Sequence, residues 1–177
     1  MSVLRFLGLQ ESPPQTSAET ETVRKITREL DAMEPGQARY VAAFAYILSR
    51  VARADLIISD EETAAMEELV AQHGGLSAEQ AVLVVQMAKT QNVLFGATED
   101  FLVTREFNRI ASHRQKLELL HCLFGVSAAD DTISGGEDNA IRQIARELGL
   151  DHHEFIEVRL KFRDHLSFLK RNQPPES

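Results

Sequence analysis

Apolar residues recur along this chain at intervals of three and four, the spacing that lines side chains along one face of an α-helix. Phe44, Ile47, Leu48 and Val51 make one such stripe, Leu117, Leu120 and Phe124 a second, and Ile141, Ile144, Ala145 and Leu148 a third. Sustained alternation bounded by turn residues, which would mark a half-buried strand, is not found. Helix punctuation agrees with the periodicity. Pro35 suits a first helical turn, where an N–H has no partner to lose. Ser77 with Gln80, Ser112 with Gln115 and Asp151 with Glu154 have the spacing of capping boxes, and Gly74-Gly75 and Gly149 stand where helix C-caps favour glycine. The pattern predicts helices over 19–33, 36–54, 60–73, 78–91, 99–111, 114–128, 135–148 and 152–169. The fold class expected is all-α.

The chain also resembles itself. A shift of 75 aligns Leu48 with Leu123, Val51 with Val126, Ala54 with Ala129, Asp55 with Asp130, Ile58 with Ile133, Ser59 with Ser134, Glu62 with Glu137 and Ala65 with Ala140. After one residue of slippage Gly75-Leu76 meets Gly149-Leu150. Each copy reads helix, short turn, helix, Gly-Leu, helix. A lone helical hairpin cannot bury its own apolar stripe, so the two units are expected to pack as a pseudo-symmetric bundle. The expected domain is 18–170, with repeats near 36–91 and 112–168, a flexible N-terminal arm over 1–17 and a disordered tail over 171–177. The arm carries Val3, Leu4, Phe6, Leu7 and Leu9 ahead of Pro13-Pro14, and the tail carries Pro174-Pro175.

Composition narrows the function classes. Hydrophobic residues at 44% and charged residues at 26% of 177 are ordinary for a globular protein. The longest apolar run, Tyr40 to Leu48, is half the length a membrane span requires. A net charge of -8 and the absence of tryptophan argue against a nucleic-acid partner, which wants a basic face and stacking platforms. The single cysteine, Cys122, excludes an internal disulfide and reads as a buried small hydrophobe. No secretory leader pattern opens the chain, so a cytoplasmic setting is expected.

The surplus charge has an address. Asp55, Asp60, Glu61 and Glu62 fall in one repeated turn and Asp130, Asp131, Glu137 and Asp138 in the other, and these eight acids equal the whole net excess. Neither turn contains Lys or Arg. The shared pattern is Ala-Asp-x-x-Ile-Ser-x-x-Glu. Ser with Glu three residues on is itself a capping-box spacing, which gives Glu62 and Glu137 a structural role. Asp55 and Asp130 lie instead near a helix C-terminus, where the macrodipole disfavours an acid and an Asx turn is the local alternative. Should the two turns meet, carboxylates about 4 Å apart repel by roughly 4 kcal/mol per pair at an effective dielectric near 20, and a cation would offset that. Asp55, Glu62, Asp130 and Glu137 are therefore the candidate metal ligands. Such hard oxygens suit calcium, magnesium or manganese better than zinc, since no histidine lies in either turn. An EF-hand is excluded, because Leu56 and Asp131 stand where its loop needs glycine.

The helix Tyr40–Ala54 running into Ala54-Asp55-x-x-Ile58-Ser59-x-x-Glu62, its repeat from Arg114 through Glu137, and the closing Leu148-Gly149-Leu150 resemble the tellurite-resistance TerB-like family over roughly residues 36–165. The resemblance implies a small helical fold, acidic residues proposed to chelate a metal, and a role in bacterial stress or tellurite response. Many members carry Gly after the Asp, whereas this chain has Leu56 and Asp131. A similar domain opens a membrane-tethered co-chaperone, although the His-Pro-Asp of that protein's J-domain is missing here.

Other constellations carry less. Glu118-x-x-His121 has the spacing of a di-iron bundle motif but no second copy, so Glu118 reads as a solvated position and His121 as partly buried. His152-His153 reads as surface beside a helix start. Phe95-Gly96 and Phe101 to Phe107 are expected to plug the core between the repeats. No nucleophile elbow, P-loop or dinucleotide fingerprint occurs. The expectation is a non-enzymatic divalent-metal module, with a metal-free protein-interaction module of the co-chaperone-adaptor kind as the alternative. A protein partner, including a membrane-associated one, fits either reading, and a carboxylate-bridged metal oxidase is the distant third.

Overall fold

The computed structural model describes residues 17–52, 60–90, 100–129 and 131–167. The expected arm before Ser17, the tail over 171–177, the Phe95-Gly96 plug and the first acidic turn up to residue 59 lie outside them. Among the described residues the chain forms eight α-helices: α1 (Ser17–Ala32), α2 (Pro35–Ala52), α3 (Asp60–His73), α4 (Ala78–Lys89), α5 (Asp100–Ile110), α6 (His113–Ser127), α7 (Gly135–Glu147) and α8 (His152–Leu160). A 3-10 turn, Arg163–His165, follows. The fold is an all-helical bundle.

Local sequence accounts for most of the helix ends. Ser77, Ser112, Ser134 and Asp151 are N-caps with extended backbone, and each forms a reciprocal capping box with the residue three places on. Pro35 opens α2, and the side chain of Glu34 accepts the Gln37 N–H at 3.0 Å. Gly75 and Gly149 take φ of +63° and +71°, the left-handed region that costs a side chain energy, and both are followed by buried leucines.

α2 is the hub. From Val41 to Ser49 every residue is buried, because α2 is covered by α4, α5, α6 and α7 and more lightly by α1. Phe44 and Phe107 are fully buried and meet Tyr40 in a three-ring cluster, with Tyr40 stacked on Phe107 at 5.2 Å. Burial and then the nearby Glu118 carboxylate raise the Tyr40 hydroxyl above its usual range. Phe107 and Val103 of α5 thus fill the core as expected, whereas Leu102 stays exposed. Cys122 of α6 is fully buried, its thiol pushed up to about 12 by loss of water.

Two sets of three consecutive helices, α2–α4 and α6–α8, each have a Gly-Leu corner between their last two helices, and residues 53–59 between α2 and α3 lie outside the described residues. Their packing is uneven: α3 runs closely along α6, while α7 makes slighter contact with α2. A bidentate pair joins them, Arg50 of α2 donating to Glu147 of α7 at 2.7 and 3.2 Å and to Thr104 of α5 at 2.7 Å.

The last expected helix needs correcting. Periodicity carried it to 169, but α8 ends at Leu160 and Lys161–Phe162 form a turn. Tertiary pairing overrides local propensity here. The Ile133 N–H donates to the His165 carbonyl at 2.7 Å and the Ser167 N–H to the Ile133 carbonyl at 3.1 Å, a parallel bridge between Ile133 and Leu166. A helix would have spent that carbonyl internally.

Candidate functional site

The second acidic turn leaves α6 through tightening hydrogen bonds. Ala128 N–H donates to Phe124 O at 2.9 Å, Ala129 N–H to Val126 O at 3.2 Å and Asp131 N–H to Ala128 O at 3.0 Å. Asp131 then takes φ +65°, the only left-handed non-glycine among the described residues. This is where the resembling pattern carries glycine; aspartate is one of the few side chains that tolerate the conformation. The chain emerges with Asp131 and Thr132 exposed and Ile133 fully buried beneath the Leu166 bridge.

Ser134 starts α7. Its hydroxyl accepts the Glu137 N–H at 3.2 Å, and its own N–H donates to Glu137 Oε2 at 2.8 Å. Of the four candidate ligands, Glu137 is therefore seen acting as a cap, with one carboxylate oxygen engaged by backbone. A carboxylate offers about four lone-pair sites, so the cap leaves acceptor capacity. Asp55 and Asp130 lie outside the described residues, as does the side chain of Glu62, whose backbone sits in the first turn of α3. Among the described residues no group of three or more His, Cys, Asp or Glu side chains is placed to hold a metal ion.

Asp138, counted with the turn's surplus charge, is spent internally. It is 4% exposed and accepts from Arg159 Nε at 2.6 Å and Nη2 at 3.3 Å, with Arg142 at 3.5 Å. Arg142 in turn lies over the Phe155 ring, 5.2 Å from its centroid. The clamp ties the start of α7 to the end of α8. The turn's own ten residues contain no base, but the fold delivers two. Arg142 stands one helical turn away and was visible at i+4 spacing; Arg159 is 21 residues distant and carried no such signal.

Glu118 departs from the solvated position expected of it. Only its partner Arg114, at 2.8 Å, is widely exposed, and the Glu118 carboxylate lies against the Gly75 corner. His121 is half-buried, as anticipated, and His152 and His153 are exposed. No described helix is long and apolar enough to cross a membrane.

The fold and the capped acidic turn define an all-helical module. Residues 41–160, more than half of the chain, match the family model of the tellurite resistance protein TerB, and the chain belongs to that family. No curated protein and no solved structure gives a significant match to it.

Proposed function

We propose that this chain is a non-enzymatic TerB-family module of the cytoplasm that takes up a divalent cation through Asp55, Glu62, Asp130 and Glu137 and presents the result to a protein partner in a stress response. The observation that carries the reading is the fixation of the second acidic turn. The Ser134–Glu137 box and the adjoining Ile133–Leu166 bridge fix the exit of the turn, and Asp131, two residues before the bridge, stands in a left-handed conformation. Preorganised backbone lowers the cost of gathering carboxylates around an ion. Oxygen donors of this kind favour calcium, magnesium or manganese over zinc.

Calorimetric and thermal-melting titrations of chelator-treated protein with calcium, magnesium, manganese and zinc test this directly. Saturable heat and a raised Tm, both lost in Asp55→Asn and Asp130→Asn, are expected. Absence of both responses for every ion removes the reading. A metal-free interaction module is favoured by the cap itself, which gives Glu137 a structural role of its own. In that case Glu137→Ala lowers stability by about 1 kcal/mol, as a lost cap does, and no ion changes the melting curve.

A further inference from the structure

The residues after α8 are pinned to the bundle at two places. One is the Ile133–Leu166 bridge beside the acidic turn. The other is Phe162, which stacks on Phe124 at 5.7 Å and is flanked by two imidazoles, His73 at 6.1 Å and His121 at 6.4 Å. His73 comes from the end of α3 and packs against the bare Gly125 of α6, while His121 lies on α6 itself. Lys161 Nζ stands 3.4 Å from His121 Nε2. An ammonium has donors only, so this contact is a hydrogen bond only while Nε2 is unprotonated. Once His121 is protonated, the same contact sets two cations face to face.

We propose that Lys161, His121 and His73 around Phe162 form a proton-sensitive latch that holds the strap 161–167 against the acidic turn and releases it on mild acidification. The groups acting on the His121 ring are Lys161 from the segment after α8, His73 from α3 and Glu157 from α8. Burial first, then Lys161 and His73, lower its pKa from the usual histidine value, and Glu157 opposes them only in part. The folded, latched form therefore binds the proton less readily than the released form. Its stability is complete above the ordinary histidine pKa of about 6.5 and is lost as pH falls below that through the lowered value. Release uncovers Phe162, Leu166 and Ile133, the last two now buried, and puts an apolar strip beside the carboxylates of the turn. The inference stands whether or not those carboxylates bind an ion.

Hydrogen exchange on chelator-treated full-length protein reads the latch at two amides, Ile133 and Ser167, whose N–H groups close the bridge. Between about pH 7.5 and about pH 5.5 their protection factors are expected to fall several-fold, while that of Ile47 in α2 holds. His121→Gln keeps an acceptor for Lys161 but cannot charge, and should abolish the fall. Lys161 is exposed, so Lys161→Met leaves the core intact; in that variant the His121 ring, followed by NMR, should ionise at higher pH and the fall should shrink. Protection that ignores pH across the His121 titration overturns the proposal, as does a fall that persists undiminished in both variants.

Discussion

The two units α2–α4 and α6–α8 both turn on a Gly-Leu corner, yet what presses on those corners differs. In the first, α2 is buried on every side along Val41–Ser49, and the Gly75 corner is roofed by Glu118 from the other unit. In the second, the Gly149 corner is open, with only Asn108 near the position a side chain would take, and the Asp138 clamp adds a buried ionic tie to the apolar packing of Ile141, Ile144, Leu148 and Phe155. A shared sequence pattern dictates shared backbone turns. It does not dictate what presses on them.

The largest effect that would sharpen this contrast is expected from Asp138→Ala. Removing a buried carboxylate strands Arg159 and Arg142, and loss of one partner of a buried pair costs about 3 to 5 kcal/mol. Urea unfolding monitored by helicity measures it. A cost below about 1 kcal/mol would mean that the clamp adds little to the apolar packing both units share.

Next come the paired glycines. Gly149→Ala should cost about 1 to 2 kcal/mol from the left-handed backbone alone. Gly75→Ala should cost more, because the added methyl also meets the Glu118 carboxylate. Equal losses in parallel denaturation curves would break the comparison. Combining Gly75→Ala with Glu118→Ala should return the cost to that of Gly149→Ala.

The smallest effect is expected at the cap. Ser134→Ala removes one side of its box and should cost about 1 kcal/mol, and Ser112→Ala in the matching box of α6 should cost about the same. A much larger loss at Ser134 would mark a turn whose integrity extends beyond its cap.

These contrasts also locate what the sequence could yield. Helix type and most helix ends were legible because they rest on contacts three or four residues apart, as at Ser77 with Gln80 or Asp151 with Glu154. The end of α8 was not, since the Leu166 bridge to Ile133 spans more than thirty residues and leaves no local mark. Nor was the fate of Asp138, whose main partner Arg159 lies on another helix. The acidic turn was legible as a place and Glu137 as a cap. Local spacing cannot say whether its remaining carboxylates converge, because convergence is decided by how helices far apart in the chain lean on one another.

The burial of Cys122 bears on any role under chemical attack. It is the chain's single cysteine, fully enclosed, and its proton is held well past neutrality. Sulfhydryl reactivity belongs to the ionised, reachable form, and the folded protein supplies neither. An oxidant or a soft electrophile therefore meets no accessible thiol at Cys122 while the bundle stays folded.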